Sequence, residues 1–496
     1  MTDRPHQPDY VLYFTVVILC AIGVVTVYSA SVDLAITNGL KADHFALYQL
    51  AFAATGLVLM SVFVRIPPRV WYKLAPLLML INLGLLVLVK FIGKEVLGGR
   101  RWLGTTSVHI QPSELAIVAI AMYLAFFFTK KITVLHSFKH GFVPAIVVIL
   151  INFFLIFIEP DMGTAMTLFG VSYILLIASG TPLRRVFGLL LPAIPGLLLL
   201  ALSGHYRSGR LTAFIHPFAH QGVQSYQLLA GWTAITSGGW FGKGFGMSLA
   251  KTGYLPEPYT DFIFPVLTEE WGYVGAIALI ITFGVLVWRG FLVARHAPNR
   301  FMALFAVGLT GSIAMGTLIN LGAVTGLLPV TGIPLPFISY GGTDLMVNLI
   351  AMGMLLSISR YTLDEEPAAD ELAEVIEVDD FRSTRPSAEK RDSIPIIDRP
   401  AARTGRSAKV EPIRPTAKQA AAKTKSSSSK MPADSWRARQ ETAATTRGGG
   451  GRPSGSKMGA RRNVSTPTGG TWRERQERAD SWKSSPGSKK PKRRDR

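Results

Sequence analysis

The chain has 496 residues, of which 49% are hydrophobic, and its formal net charge is +20. Residues 381–496 contain 30 Lys and Arg against 10 Asp and Glu, so residues 1–380, with 22 of each sign, are neutral. A basic tail on a neutral apolar body argues against a nucleic-acid-binding fold, and no nucleic-acid partner is expected. The single cysteine, Cys20, excludes an intrachain disulfide.

Apolar runs dominate residues 1–360, which we interpret as one polytopic membrane domain. Crossing the ~30 Å hydrocarbon layer takes roughly 20 apolar residues per helix. The first run is too long for a cleavable signal peptide, so we expect it to remain as the first span. The sequence therefore predicts an all-α integral membrane protein of about ten transmembrane helices. The predicted spans are 10–30, 46–64, 72–90, 113–129, 142–158, 163–179, 186–203, 264–288, 301–322 and 340–358.

Ten spans place both termini on one side, and the basic residues of the loops predict which side that is. If the termini are cytoplasmic, four short inner loops hold 11 basic residues and hardly an acid. Arg100 and Arg101 lie on an outer loop and oppose this orientation, but the bias as a whole predicts cytoplasmic termini. The inner-loop residues are Arg65, Arg69, Lys73, Lys130, Lys131, Lys139, Arg184, Arg185, Arg289, Arg295 and Arg300.

Three long outer segments remain, at 91–112, roughly 204–263 and 323–339, of which the second is a large extracytoplasmic loop. Each mixes Gly, Pro and aromatic residues with isolated charges. This composition is typical of non-helical backbone that packs against protein or lines a wet cavity.

The C-terminal segment 361–496 is predicted to be a disordered cytoplasmic tail. Residues 364–380 include nine acids and no base, and Ser, Gly, Pro, Lys and Arg dominate the strongly basic remainder. Such a composition cannot bury a core. The basic part could bind anionic lipids of the inner leaflet, at about 1 kcal/mol per basic residue, or could simply keep the chain soluble.

The first outer segment contains "GGRRWLGTTSVHIQPSE", residues 98–114. The guanidiniums of Arg100 and Arg101 suit phosphate oxygens, and Trp102 can stack on a sugar or anchor at the membrane interface. Glu114 falls about one turn into the fourth span, where an unpaired charge is costly. Snorkelling of the arginines to headgroups is the structural alternative.

Two further polar clusters interrupt the apolar runs. Glu159 and Asp161, in "FIEPDMGT", indicate a polar cavity, although helix capping explains Asp161 equally well. Residues 326–344, "GLLPVTGIPLPFISYGGTD", predict a re-entrant loop that lines a cavity, with Ser339 as a candidate binding residue. Asn320 and Asn348 are interpreted as contacts between helices.

The longest polar loop spans residues 238–272. Asp261 lies between Thr260 and the apolar run "FIFPVL", where partial desolvation would raise its pKa and its basicity. No Ser or Thr follows Lys243, so the Gly-rich part does not match a phosphate loop. A solvated loop with internal ion pairs is the alternative. The charged residues of this loop are Lys243, Lys251, Glu257, Asp261, Glu269 and Glu270.

Metal-binding patterns are weak in this chain. His216 and His220 have the i, i+4 spacing of a helical ligand pair, but Pro217 disfavours a regular helix between them. No other plausible ligands lie nearby in the sequence, so no metal site is predicted from the residues.

Together the four clusters resemble the SEDS family (shape, elongation, division and sporulation), which includes FtsW, RodA and SpoVE. The resemblance rests on "GRRWLG…IQPSE", "EPDMGTA", "SYQ" followed by "GGWFGKGFG", "YLPEPYTDFIFPVLTEEWGYVG" and "LPVTGIPLPFISYGG", in family order. It implies a ten-helix fold and peptidoglycan glycosyltransferase activity on lipid II. It also implies that Asp261 of "TDF" is essential, that Trp102 matters for function, and that Glu114 is the "QPSE" glutamate.

Two positions depart from the family pattern. The family often has Lys three residues after the "QPSE" glutamate, where this chain has Ile117, so Glu114 needs another partner or a proton. The family often has His before "TD", where this chain has Tyr259. An imidazole base is therefore absent from that position, and we expect Asp261 to act without one.

The reaction implied joins the 4-hydroxyl of an acceptor GlcNAc to the anomeric carbon of a donor MurNAc, and undecaprenyl pyrophosphate leaves. Asp261 is the expected base. Positive side chains, with or without a divalent cation such as Mg²⁺ or Mn²⁺, would stabilise the leaving pyrophosphate. The candidates for this role are Arg100, Arg101, Lys243 and Lys251. The other candidate substrate-binding residues are Trp102, Glu114, Asp161, Glu257, Glu269, Glu270 and Ser339.

The resemblance also implies partners and a location. "YLPEPYTDF" and "TGIPLPFISYGG" are nearer to the division and sporulation members than to the elongation member. The implied partners are a class B penicillin-binding protein, which is a transpeptidase, and other divisome proteins. The implied location is the bacterial plasma membrane at the division septum. A lipid II flippase and a non-catalytic scaffold of the division machinery are the alternative functions.

Overall fold

The computed structural model describes residues 5–96, 99–104, 109–135, 137–202, 205–218 and 223–362. The predicted disordered tail lies outside the described residues beyond Thr362, as does His220. The described part is mostly α-helical. Its helices are α1 (Tyr10–Thr37), α2 (His44–Phe63), α3 (Pro68–Ile92), α4 (Pro112–Lys130), α5 (Val143–Ile158), α6 (Met162–Ala178), α7 (Leu183–Leu202), α8 (His205–Ile215), α9 (Val223–Ser237), α10 (Ile263–Arg295), α11 (Arg300–Thr325) and α12 (Gly342–Ser359).

The prediction of an all-α integral membrane protein is confirmed. Within the described ranges, eight helical segments are long and apolar enough to cross a membrane: α1 to α4, α5 together with the preceding π-helical turn Phe138–Phe142, and α10 to α12. The remaining two predicted spans fall on α6, which is apolar but has 17 residues, and on α7, which has 20. Every predicted span therefore lies on a helix of the structure.

Side-chain caps fix the starts of several spans. Asp9 accepts a hydrogen bond from the backbone N–H of Leu12 at the start of α1. Asn299 caps α11 through the N–H of Met302 in the same way. At the other end of α11, Gly326 has φ 76°, the left-handed conformation that closes many helices.

The prediction that the outer segments are non-helical is wrong for 204–263, which contains α8 and α9. Helix α9 buries Ser225, Leu228, Gly231 and Ala234, a stripe at a spacing of three residues that packs against α10. The glycines and prolines that flank this helix determine the average composition of the segment and conceal the stripe. Helical periodicity, rather than composition, was the informative pattern here.

The first outer segment forms a small antiparallel sheet. Its strands are β1 (Lys94–Val96), β2 (Gly99–Gly104) and β3 (His109–Ile110), with β2 in the middle. Trp102 pairs with Lys94 on one side, and Leu103 pairs with Ile110 on the other. The third outer segment is non-helical between α11 and α12, as predicted.

Helix α11 occupies the centre of the bundle, where it contacts α4, α6, α9, α10 and α12. Gly308 lets α11 approach α4 closely, because a Cβ at this position would lie 2.8 Å from the Cβ of Ala121. Small residues at crossing points allow helices to pack tightly in lipid. The ends at which α4, α6, α10 and α12 begin lie together, and we call this the site end of the bundle.

Helix α10 is interrupted at Gly272, which has φ 72° and ψ −175°. The interruption deprives backbone groups on both sides of their helical partners, and a membrane offers no water to replace them. The preceding loop supplies the partners through its own backbone, and we call residues 239–244 the splice segment. The bonds run from Lys243 N–H to Glu269 O (3.0 Å), Gly244 N–H to Glu270 O (3.1 Å), Tyr273 N–H to Gly239 O (2.9 Å) and Val274 N–H to Trp240 O (3.1 Å).

The splice segment predicts a difference between two glycines with positive φ. A Cβ at Gly242 (φ 78°) would collide with the carbonyl of Glu270, whereas one at Gly239 (φ 59°) would meet no atom within 4 Å. Gly239→Ala should therefore lower the free energy of unfolding only by the cost of the left-handed backbone conformation, roughly 1–2 kcal/mol. Gly242→Ala should lower the thermal unfolding temperature of the purified protein clearly further. Equal shifts for the two variants would contradict the role of the splice segment.

Candidate active site

Asp261 is half-buried two residues before α10 begins. Its backbone carbonyl accepts a hydrogen bond from Asn320 Nδ2 at 2.9 Å, and the same nitrogen donates to Ile333 O at 2.7 Å. Asn320 lies on α11, so the central helix fixes both the Asp261 loop and the non-helical segment before α12. Asn320 therefore links α11 to two non-helical segments, whereas a contact between helices was predicted.

The carboxyl group of Asp261 has a perturbed pKa. Burial raises the pKa of Asp261 to about 6, and the nearby Glu257 acts in the same direction. The positive charge of Arg210 and a hydrogen bond from Thr260 lower it, but burial outweighs them. The hydroxyl of Thr260 lies 3.2 Å from Asp261 Oδ1. The result is a carboxylate that is ionised at neutral pH and more basic than an exposed aspartate.

Arg210, on α8, is a site residue that the sequence analysis missed. Its Nη1 donates to Thr331 O at 2.7 Å. Gly332 (φ 77°) lies against the same guanidinium, since a Cβ there would be 3.4 Å from Arg210 Nη2. No local motif marked Arg210, because its closeness to Asp261 comes from the packing of an extra helix that was predicted as loop.

Segment 331–333 joins the Asp261 group to the start of α6. Arg210 binds its first residue and Asn320 its last, while Gly163 of α6 contacts Ile333. Gly163 is two residues from Asp161. The candidates Asp261 and Asp161 therefore lie on either side of one short segment at the site end of the bundle.

The two lysines of the long loop are engaged inside the protein. Lys243 Nζ lies 2.6 Å from Glu269 Oε1, and Lys251 Nζ lies 3.4 Å from Glu270 Oε1. These ion pairs anchor the loop, as in the alternative of internal ion pairs, and the role of the four residues in substrate binding stays a prediction.

Both glutamates are buried and accept several hydrogen bonds. Glu269 also accepts from Ser237 Oγ (3.0 Å), Ser248 Oγ (2.6 Å) and the N–H of Ala250 (3.1 Å). Glu270 accepts from Ser29 Oγ on α1 at 2.5 Å. A buried charge is tolerated when it is paired and hydrogen-bonded in this way. The loop that carries Asp261 is thereby fixed to α10 and α1.

Glu257 and Tyr259, which precede Asp261 in the sequence, lie in different environments. Tyr259 packs against the rings of Phe45 and Tyr340, and burial together with Glu257 raises its pKa to about 12. Its phenol is therefore protonated at neutral pH and cannot replace an imidazole base. Glu257 is exposed, has φ 50°, and accepts a hydrogen bond from the Thr260 hydroxyl at its backbone carbonyl.

Strand β2 presents the arginine pair and the tryptophan. Arg101 is half-buried and donates to the carbonyls of Glu159 (2.8 Å) and Pro160 (2.7 Å). It therefore fixes the turn between α5 and α6 instead of snorkelling to headgroups. Arg100 is exposed, and Trp102 is half-buried beside it.

The turn between α5 and α6 confirms the interpretation of Asp161 as a helix cap. Asp161 caps α6 through the N–H of Thr164 (3.1 Å) and also accepts from Gln111 Nε2 (2.6 Å) and Ser113 Oγ (3.1 Å). Glu159 is buried, and burial raises its pKa to about 8, against the opposing charges of Arg101 and Lys90. Buried polar side chains therefore cluster beneath β2, and the polar cavity stays a prediction.

Glu114 lies in the first turn of α4. Its polar neighbours include Thr343 and Asp344 of α12 and also Asp161, while Ile117 packs into the apolar core. The charged groups that act on Glu114 are the carboxyl groups of Asp344 and Asp161.

Ser339 has a structural role in the non-helical segment before α12. Its hydroxyl accepts from the N–H of Leu335 at 2.8 Å, and its carbonyl accepts from Gln49 Nε2 at 3.1 Å. These bonds close a backbone turn, and the role of Ser339 in substrate binding stays a prediction. Among the described residues, no three His, Cys, Asp or Glu side chains are grouped to hold a metal, and the divalent cation stays a prediction.

Comparison with known proteins places this architecture in a family. The profile described as "Cell cycle protein", FTSW_RODA_SPOVE, matches residues 10–364. The chain belongs to the FtsW/RodA/SpoVE family.

Relatives in this family match the membrane part nearly end to end. Stage V sporulation protein E of Bacillus subtilis is 38% identical over 364 residues, which cover 73% of this chain and 100% of that protein. The probable peptidoglycan glycosyltransferase FtsW of Trichlorobacter lovleyi is 39% identical over 358 residues, which cover 72% of this chain and 94% of the relative. The family resemblance stated from the sequence motifs is confirmed.

Solved structures of the family share the fold. The rod shape determining protein RodA of Thermus thermophilus superposes with a TM-score of 0.55 at 26% identity, covering 72% of this chain and 98% of that one. A chain of a peptidoglycan synthase complex, described as coordinating polymerization and crosslinking, gives a TM-score of 0.60 at 26% identity and covers 71% and 98%.

The anchoring role of Glu269 can be tested by stability. Glu269→Gln removes the charge opposite Lys243 and turns amide hydrogens toward other donors, so it should destabilise the protein by about 3 kcal/mol. Thermal unfolding of the purified FtsW/RodA/SpoVE-family protein, with limited proteolysis of loop 238–254, measures the effect. Glu257→Gln, at an exposed position, is the matched control and should leave both unchanged. Equal behaviour of the two variants would refute the anchoring role.

Proposed function

We propose that this chain is a peptidoglycan glycosyltransferase that polymerises lipid II into glycan strands during cell division. The observation that carries the proposal is the half-buried carboxylate of Asp261, with a raised pKa, beside the guanidinium of Arg210. Membership of the FtsW/RodA/SpoVE family and the names of its FtsW relatives support the same activity.

Asp261 serves as the general base in this proposal. It accepts the proton of the acceptor 4-hydroxyl while that oxygen attacks the anomeric carbon of the donor. The bond from that carbon to the pyrophosphate oxygen breaks, undecaprenyl pyrophosphate leaves, and the configuration inverts. A base with a pKa of about 6 is ionised at neutral pH and still basic enough to take the proton.

Arginine side chains bind the pyrophosphate in this proposal. Arg210 faces the Asp261 carboxylate and Arg100 is exposed on β2, whereas Lys243 pairs with Glu269 and Lys251 with Glu270. A guanidinium binds two phosphate oxygens at once and stabilises the charge that develops as the bond breaks. Trp102 would stack on a sugar ring. A divalent cation at the pyrophosphate remains part of the proposal.

The setting of the reaction follows from orientation and family. We place both termini in the cytoplasm, so that the site end of the bundle faces the cell exterior, where glycan strands are assembled. A class B penicillin-binding protein is the proposed partner, and the likeness to a chain of a peptidoglycan synthase complex supports it. Division-type relatives support a location at the septum together with other divisome proteins.

The base is tested by Asp261→Asn, which keeps the shape of the side chain and the backbone contact to Asn320. Lipid II polymerisation by the purified protein with its transpeptidase partner should fall by about 10²–10⁴-fold, the usual contribution of a general base. Asp43→Asn is the control at an exposed carboxylate just before α2 that has no role in the proposed mechanism, and it should stay active. Retained polymerisation in Asp261→Asn would remove Asp261 from the mechanism, and lipid translocation without polymerisation would favour a flippase.

The charge of Arg210 is tested by the pH dependence of polymerisation. Protonation of Asp261 inactivates the base, so the wild-type rate should fall about tenfold per pH unit below the pKa of about 6. Because Arg210 lowers this pKa, Arg210→Gln should move the acid limb to higher pH, whereas Arg210→Lys should move it less. An unshifted limb in Arg210→Gln would show that the guanidinium does not act on Asp261.

A further inference from the structure

A groove of about 540 Å³ lies at the end of the bundle opposite the site end. It is bounded by the start of α1, the end of α2 and the end of α12, with Tyr10, Phe14, Arg65 and Arg360 among its walls. Asp261 and its neighbours lie at the other ends of these helices. The mechanism proposed above makes no use of this groove.

The N-terminal segment 5–9 builds one wall of the groove and is pinned across the end of α12. The N–H of His6 donates to Arg360 O at 2.9 Å, and the N–H of Asp9 donates to Ser359 Oγ at 3.1 Å. The carboxylate of Asp9 pairs with Arg289 at 2.6 Å and does not line the groove. This wall is therefore held in place by hydrogen bonds, and the negative charge of Asp9 is neutralised by Arg289 outside the groove.

The polar side of the groove is positively charged. Arg65 is exposed, and within the described part of the chain no carbonyl or carboxylate accepts a hydrogen bond from it. Arg360 donates to His6 O and to Val64 O, both at 3.3 Å, which occupies two of its five N–H groups. Among the described lining residues none is acidic. Two guanidiniums with donors to spare suit a phosphate group.

The other side of the groove is aromatic and faces the surrounding lipid. Tyr10 is 52% exposed and Phe14 is 57% exposed, in the first two turns of a membrane span. Aromatic rings at this depth anchor a helix at the membrane boundary and contact acyl chains. The groove therefore pairs a site for a phosphate with a surface for a hydrocarbon chain.

We propose that this groove binds an anionic phospholipid, with its phosphate on Arg65 and Arg360 and an acyl chain along Tyr10 and Phe14. Basic pockets between membrane helices favour such headgroups. The acidic segment 364–380 follows Arg360 in the sequence and is negatively charged, as an anionic headgroup is, so it is the alternative occupant of the groove. An aromatic wall does not complement a run of carboxylates, so the lipid is the better match. This site is separate from any lipid contact of the basic tail.

The occupant can be identified by photo-crosslinking in the full-length protein. A benzoylphenylalanine replaces Phe14, and the protein is placed in nanodiscs with equal phosphatidylglycerol and phosphatidylethanolamine. Mass spectrometry should show about thirtyfold enrichment of phosphatidylglycerol in the adducts, as two basic contacts imply. The same probe at Ile18, one turn along α1 and 51% exposed, should show no such enrichment. Equal adducts of the two lipids at position 14, or a peptide adduct from 364–380, would overturn the proposal.

Charge variants test whether the two arginines cause the selectivity. Arg65→Gln/Arg360→Gln should abolish the enrichment at position 14. Lys131→Gln/Lys139→Gln removes the same charge from exposed residues at the same end of the bundle and should preserve it. The single variant Arg65→Gln, at an exposed position, should reduce the enrichment without altering thermal unfolding. Enrichment that persists in the double arginine variant would show that these guanidiniums do not bind the lipid.

Discussion

Helix α10 cannot complete its own hydrogen bonds across Gly272, because the backbone there departs from helical geometry. In a membrane the freed groups must find protein partners, and the splice segment 239–244 provides four. The same contact brings Lys243 within 2.6 Å of Glu269 and so closes an ion pair next to the backbone bonds. The loop that leads to Asp261 is therefore positioned by a requirement of the lipid environment, and the position of the carboxylate follows from it.

The electrostatics of Asp261 depend on that positioning. Burial raises its pKa, and Arg210 opposes the change without cancelling it. Neither effect belongs to the loop alone, since Arg210 comes from α8 and the carbonyl of Asp261 is held by Asn320 from α11. Three separate elements thus set the basicity of one side chain, and each is fixed by packing or by hydrogen bonds to backbone carbonyls. This is the kind of preorganisation that a general base requires.

Hydropathy was enough to predict the membrane spans, because a helix in lipid must be apolar over its whole length. It could not predict α9, whose buried stripe at Leu228 and Ala234 is interrupted by polar residues, or the closeness of Arg210 to Asp261. The desolvation of Asp261 was predictable from its place between a polar loop and an apolar run. The ion pairs of Lys243 and Lys251 could not be predicted, because they depend on the fold of the loop. A loop that binds phosphate would contain the same residue types.

The two departures from the family pattern bear on how charge is distributed at the site end. Without Lys at position 117, Glu114 lies near Asp161 and Asp344, so three carboxyl groups come together there. At Asp261 a neighbouring charge is instead the guanidinium of Arg210. A pyrophosphate is repelled by carboxylates and attracted by guanidiniums, whereas sugar hydroxyls donate well to carboxyl oxygens. Under the proposed function, the carboxyl groups near Glu114 therefore suit uncharged sugar, and the guanidiniums of Arg210 and Arg100 suit the lipid pyrophosphate, so that the distribution of charge orients the donor before the bond breaks.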